Sequence, residues 1–130
     1  MEQIQEKLKY KRTLVPETVL ILAGGSLSTI LDCGGMQPRA LLFPDGWEDC
    51  NIFLNAGIIP NGQIYQVSTT GDGTDNNERA SFVAKKLQLL PLIYPVSDCF
   101  LYFQIQTDIR PIANQKITVL LQPLYQGIHG

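Results

Sequence analysis

The feature that most constrains this sequence is a period of two in the apolar residues of its last third. Residues 97–106 alternate in this way, with apolar positions at Cys99, Leu101, Phe103 and Ile105. A shorter run, residues 116–122, repeats the pattern with Ile117, Val119 and Leu121 on one side. A period of two is that of a β-strand with one buried face. Both runs are therefore predicted to be strands that lie against a core.

The rest of the chain from residue 18 onward also favours short strands. Brief apolar or β-branched runs are separated by Gly, Pro, Asn and Asp, which are turn residues. The further predicted strands are residues 18–23, 26–33, 39–43, 50–54, 63–68, 79–84 and 87–90. No long helical pattern follows residue 13. The sequence therefore predicts an all-β fold, an antiparallel β-sandwich of two sheets, and argues against a parallel α/β architecture.

Two of these strands carry more specific predictions. Residues 39–43 and 50–54 flank a turn-forming Pro44-Asp45-Gly46 sequence and are predicted to pair as a hairpin. Within residues 26–33, alternation predicts one shared face for Leu27, Thr29, Leu31 and Cys33.

A chain of 130 residues fits one domain. We divide it into an N-terminal arm (residues 1–16), a β-sandwich domain (residues 17–124) and a C-terminal tail (residues 125–130). In the first twelve residues four basic side chains outnumber two acidic ones, although the whole chain has a net charge of −2. Ile4 and Leu8 are spaced as on one face of a short helix that needs a partner to be stable. The residues expected to contact that partner are Ile4, Lys7, Leu8, Lys11 and Arg12.

Composition argues against several functions. The net charge of −2 provides no basic field for nucleic acid. No apolar run reaches the roughly 18 residues of a membrane span, and the charged N-terminus is unlike a signal peptide, so we expect folding in a cytoplasm. The only histidine, His129, lies beside the C-terminus, so neither a nucleophilic triad nor a zinc site can be assembled, and the three cysteines are expected to be free thiols. We expect no cofactor and no catalysis.

Three local motifs leave alternatives open. Gly24-Gly25-Ser26 follows an apolar run as a phosphate loop would, but the strand-like residues after it favour a β-turn. Residues 69–78 are polar throughout and are interpreted as a solvated loop, with a weak calcium site as the alternative. The acidic side chains of Asp45, Glu48 and Asp49 resemble a glycosidase pair only in composition, and an exposed turn is the favoured interpretation.

Trp47 follows the same turn and has two interpretations. A tryptophan at this place in a sandwich packs between the sheets as a plug, which is the favoured interpretation. The alternative is a platform on which a glycan stacks, a role for which Tyr65 and Tyr125 are further candidates.

Several short motifs follow one another along most of residues 18–124. They are Gly25-Ser26-Leu27-Ser28, Asp32-Cys33-Gly34-Gly35, Pro44-Asp45-Gly46-Trp47, residues 100–105, Pro111, Gln115 and residues 116–121. This order resembles small β-sandwich virion proteins of tailed bacteriophages. The chain departs from their pattern after Trp47, where Asn61-Gly62 and residues 69–78 replace a Ser-x-Asp-Gly turn.

The resemblance implies a jelly-roll-like module that decorates or cements the phage head, or serves the neck or tail as an accessory. It implies no catalytic residue. The implied partners are the major capsid protein or another virion protein, within a virion assembled in the bacterial cytoplasm, and further copies of the chain, for which a trimer is one arrangement. A carbohydrate- or receptor-binding sandwich is the alternative function.

Phe100 and Tyr102 are the candidates for a contact between copies. Both fall on the polar side of the alternation in residues 97–106, where large aromatic side chains suit an interface core. The alternative is that they are buried against the second sheet.

Overall fold

Nine strands form the part of the chain that the computed structural model describes, which comprises residues 14–59, 61–68, 81–92 and 101–123. They are β1 (Val15–Ile21), β2 (Leu31–Asp32), β3 (Met36–Leu42), β4 (Cys50–Gly57), β5 (Tyr65–Gln66), β6 (Ser81–Ala84), β7 (Leu89–Pro91), β8 (Tyr102–Thr107) and β9 (Gln115–Pro123). These residues include no helix. The predicted all-β class is confirmed. β1 begins at Val15, so Val15 and Pro16, which we assigned to the arm, lie in the first strand.

The strands form two sheets in which every pairing is antiparallel. The first sheet has the order β1-β9-β3-β7. The second has the order β2-β8-β4, and both β5 and β6 pair with the remaining side of β4. The inner faces of the two sheets pack against each other, which confirms the predicted antiparallel sandwich.

The pairings are nested along the chain. β1 pairs with β9, β2 with β8, β3 with β7, and β4 with β5 and β6. This is the pattern of one long hairpin rolled into a sandwich, the double-sheet jelly roll. The predicted hairpin between residues 39–43 and 50–54 is wrong, because β3 and β4 lie in different sheets. The turn at Pro44-Asp45-Gly46 exists, but it carries the chain from one sheet to the other.

Both sheets contribute to one core, which is formed by the inward-facing residues of their alternating strands. Ile117, Val119 and Leu121 of β9 are fully buried, as are Phe103 and Ile105 of β8, as predicted. Leu101 was expected on the same face, but it precedes β8 and is 41% exposed. The same core contains further buried residues of both sheets, namely Val19, Ile21 and Leu41 from the first and Ile52 and Leu54 from the second. Full burial of each such side chain stabilises the fold by about 1.5–3 kcal/mol.

Residues 26–33 run beside β8, but a bulge divides them. Ser28 donates its backbone N–H to the Ile105 carbonyl at 2.8 Å, whereas Leu31 lies opposite Phe103. Two residues, Thr29 and Ile30, therefore face a single residue of β8. Such an extra residue reverses which face the side chains occupy.

The bulge overturns part of the predicted pattern. Before it, Ser28 is 4% exposed and Leu27 is 51% exposed, the opposite of the prediction, while after it Cys33 is buried as expected. Thr29 turns away to β1, where its N–H donates to the Leu20 carbonyl and its hydroxyl accepts the Leu20 N–H.

Proline occupies both edges of the first sheet. The backbone of Leu20 bonds to Thr29 on the side away from β9, so Pro16, four residues earlier on β1, faces the same outer side. On β7, Gln88 and Leu92 bond to β3, which turns Pro91 outward. Since proline has no N–H, neither position offers a donor to an added strand.

Candidate functional site

The outer face of the second sheet carries Tyr102 at the beginning of β8. Its neighbour Phe103 points into the core, so Tyr102 projects outward, and it is half-buried. The strand register sets Asp32 of β2 on one side of Tyr102 and Gly57 of β4 on the other. An aromatic ring, a carboxylate and a residue without a side chain thus lie side by side on three neighbouring strands.

Gly57 allows the chain to return close to the sheet. A Cβ at this position would lie 2.8 Å from Cδ1 of Ile64 and 3.5 Å from Cβ of Tyr102. The absence of a side chain at residue 57 therefore leaves room for the Ile64 side chain to pack beside Tyr102. Within this segment Gly62 donates its N–H to the Ile59 carbonyl at 3.0 Å, and Asn61 has a φ of 56°, as in a tight turn.

An open groove of about 260 Å³ lies between this turn and the bulge of residues 29–30. We call it the Tyr102 groove. Its walls are formed by Ile30, Asp32, Ile59, Asn61, Ile64 and Tyr102. Aliphatic and aromatic surface is thereby combined with a carboxylate, an amide and a phenol hydroxyl.

The polar groups of the groove differ in their partners. One oxygen of Asp32, Oδ1, accepts the Gly34 N–H at 2.9 Å, in a turn where Gly34 and Gly35 have φ of 60° and 79°. Within the described part of the chain, neither the Tyr102 hydroxyl nor the Asn61 side chain makes a hydrogen bond. The groove therefore presents a phenol hydroxyl and an amide that have no hydrogen-bond partner among the described residues.

Trp47 lies inside the sandwich and is 4% exposed. Its Nε1 donates to the Ala84 carbonyl at 3.1 Å, and its ring lies 4.8 Å from that of Phe43, with 51° between the planes. Ala84 belongs to the second sheet, whereas Phe43 directly follows β3 of the first. Trp47 is therefore the plug between the sheets. The glycan-platform interpretation of Trp47 is wrong, because the indole faces are covered.

The structure describes only some of the other predicted contact residues. Tyr102 is described, and Tyr65 is 59% exposed on β5. The predicted arm contacts Ile4, Lys7, Leu8, Lys11 and Arg12 lie outside the described residues, and so do Phe100, Tyr125 and residues 69–78 with their calcium alternative. Among the described residues, no second predicted site residue lines the surface next to Tyr102.

The acidic residues near Trp47 hold loops in place. Glu48 accepts the Ile112 N–H at 2.8 Å, and Asp49 accepts the Lys86 N–H at 2.9 Å. Their carboxylates are thus spread over two different loops, each engaged with a backbone donor. This arrangement does not form the facing pair of a glycosidase.

The Gly24-Gly25 motif forms a turn, as predicted. Gly24 has a φ of 79°, and its N–H donates to the Pro111 carbonyl at 2.8 Å. The Gly25 N–H donates to the Leu22 carbonyl at 2.9 Å. Both donors that a phosphate loop would aim at its ligand are therefore used within the protein.

Cys33 and Cys50 are free thiols. Burial, and then the nearby Asp32 carboxylate, raise the pKa of Cys33 to about 11. Burial also raises the pKa of Cys50 to about 11, with smaller contributions from Asp108, Asp49 and Glu48. Both thiols are therefore protonated and weakly nucleophilic near neutral pH.

The described residues contain neither a metal-binding cluster nor a membrane-spanning helix. No group of three or more His, Cys, Asp or Glu side chains is placed to hold a metal ion. No helix among these residues is long and apolar enough to span a membrane.

The fold and the groove define a jelly-roll sandwich module with a small amphipathic groove on its outer face. Comparisons with models of protein families, with curated proteins and with solved structures find no match for this chain.

Proposed function

We propose that this chain is a structural protein of a tailed-bacteriophage virion that binds and stabilises the capsid without catalysis. The nested strand pairing carries the proposal, because double-sheet jelly rolls recur in viral capsid proteins. The motif order of residues 25–121, which resembles that of small phage virion proteins, supports the same class.

The position of β1 supports attachment through the N-terminal arm. β1 is an edge strand, and Leu14 just before it is 41% exposed, so the point at which the arm joins the domain lies at its periphery. The arm offers Ile4 and Leu8 as apolar contacts and an excess of basic side chains. Docking on a capsid subunit would bury the apolar side chains of the arm and pair its basic side chains with acidic groups of the subunit.

Co-sedimentation with capsids purified without this protein tests the proposal. We expect deletion of residues 1–12 to abolish binding while the far-ultraviolet circular dichroism of the domain is unchanged, since β1 begins only at Val15. Unchanged binding would contradict the role of the arm, and binding to purified tails instead of capsids would place the module at the neck or tail.

Two matched variants separate the contributions of the arm. Ile4→Ser with Leu8→Ser removes apolar contacts and leaves the charge, whereas Lys7→Gln with Lys11→Gln removes two charges and leaves the apolar residues. We expect the first to weaken binding at every salt concentration. The second should weaken it most at low ionic strength, because salt screens exposed charges.

A further inference from the structure

We propose that the Tyr102 groove binds a single ring of a neutral carbohydrate. This site lies outside the arm and is not needed for capsid attachment. The proposal rests on the residues of the groove, their hydrogen-bond partners and its size.

The groove offers partners both for the apolar C–H groups of a sugar ring and for its hydroxyl groups. Tyr102, Ile59 and Ile64 form apolar surface for the C–H groups of the ring, and an aromatic side chain combines an apolar body with a polar end. Asp32 and Asn61 supply a carboxylate oxygen and an amide, and sugar hydroxyls can donate to the first and exchange hydrogen bonds with the second.

Charge distinguishes a neutral sugar from an anion. Among the described residues, no Lys, Arg or His lines the groove, and Asp32 is its one charged side chain. A carboxylate repels phosphate, sulfate and acidic sugars, but it accepts strong hydrogen bonds from hydroxyl groups. The groove therefore disfavours anionic ligands, and we assign it to an uncharged polyol ring.

The groups that would contact the sugar are held before binding. Asp32 is fixed through Oδ1 by the Gly34 N–H, which leaves Oδ2 available. The turn closed by Gly62 and Ile59 fixes the backbone of Asn61, and Ile64 lies over Gly57. A site arranged in advance loses less conformational entropy when its ligand binds.

Size and polarity disfavour a protein occupant. A volume of about 260 Å³ is below that of pockets for drug-sized ligands and suits one ring. A second copy of the chain packed on the groove would bury the Asp32 carboxylate without a cationic partner from the groove, which is costly. Self-association through Tyr102 is thus an outcome that the test must distinguish.

Saturation-transfer difference NMR on the full chain tests the proposal, with glucose, galactose, mannose and N-acetylglucosamine as probes. We expect transfer to at least one of these sugars. Tyr102→Ala should abolish it, and Asp32→Asn, which keeps an oxygen for Gly34, should weaken binding about tenfold through loss of a charged acceptor. Tyr65→Ala, which removes an exposed tyrosine outside the groove, is the control and should bind as the original chain does.

Gly57→Ala is a second variant that keeps every polar group. Its Cβ would displace the end of the Ile64 side chain, so we expect weaker saturation transfer to the sugar and an unchanged far-ultraviolet circular dichroism spectrum. Transfer to none of the sugars would overturn the proposal, and so would equal transfer in Tyr102→Ala. A change of molar mass in Tyr102→Ala without any sugar binding would instead assign the groove to contact between copies.

Discussion

Trp47 shows how one side chain connects the two sheets. The single tryptophan of the chain bonds to Ala84 in the second sheet and contacts Phe43 at the end of β3 in the first. The sequence allowed either a plug or an exposed platform, and only the burial of the indole decides between them.

We expect Trp47→Ala to destabilise the fold by about 3–5 kcal/mol, because it leaves a cavity and an unpaired Ala84 carbonyl. Urea unfolding followed by circular dichroism measures the change. Tyr65→Ala, at an exposed aromatic residue, should cost less than about 0.5 kcal/mol. A loss of similar size in both variants would contradict the assignment of Trp47 as the plug.

The buried thiol of Cys33 links stability to alkaline pH. Its pKa of about 11 in the fold exceeds the ordinary 9.0, so between these values the unfolded chain loses the thiol proton while the folded chain keeps it. This contribution to stability is complete below pH 9 and is lost as pH rises through 11.

We therefore expect the free energy of unfolding to fall less steeply with pH above 9 in Cys33→Ala than in the original chain. Urea unfolding at pH 8, 9 and 10.5 gives the two slopes. Other groups that titrate in this range cancel in the comparison, and parallel slopes would contradict the linkage.

At the scale of elements, alternation predicted the strands whose register is regular. The inward residues of β8 and β9 follow from a period of two with no interruption. The pattern predicted for residues 26–33 is wrong because of the bulge at Thr29 and Ile30. At the bulge Thr29 bonds to β1, a long-range contact that the local sequence does not indicate. The prediction of a hairpin between residues 39–43 and 50–54 is wrong for a related reason. Turn residues specify a change of direction, but they do not specify which sheet the next strand joins.

The candidate site was predicted only through Tyr102. Asp32 and Asn61 are distant in sequence and meet it through strand register and the turn before β5. The signal that could have pointed to them is glycine at the end of an apolar strand, Gly57, which indicates that another segment approaches the backbone closely.

The bulge depends on Ser28. Its hydroxyl accepts the buried Ile105 N–H at 2.9 Å and donates to the Thr29 carbonyl, so it replaces a missing bond of the strand ladder. We expect Ser28→Ala to cost about 1–3 kcal/mol and to speed hydrogen exchange of the Ile105 amide. Ser26→Ala is the control, because Ser26 bonds to Thr107 through its backbone carbonyl. Unchanged exchange at Ile105 would refute this role.

At the scale of the whole molecule, the open edges of the first sheet decide whether copies can join by adding strands. Pro16 and Pro91 remove a donor from each edge. Contact between copies through these edges is thereby disfavoured, whatever surface the arm or the groove provides.

We expect Pro16→Thr combined with Pro91→Thr to increase self-association, because each edge gains an outward N–H. Light scattering against protein concentration, at a temperature below unfolding, measures the effect. Pro44→Thr, which alters a proline in the loop after β3, should scatter light as the original chain does. Equal scattering by all three chains would show that the edges are protected in another way.

The pairing of β1 with β9 has a consequence for synthesis of the chain. Val15 lies beside Leu121, so β1 cannot pair with its neighbour in the sheet until residues 115–121 have been made. Synthesis proceeds at about 5–20 residues per second, so β1 leaves the ribosome seconds before β9 does. The sandwich can therefore close only once β9 has emerged, and until then Val19 and Ile21 are exposed to chaperones and to neighbouring nascent chains.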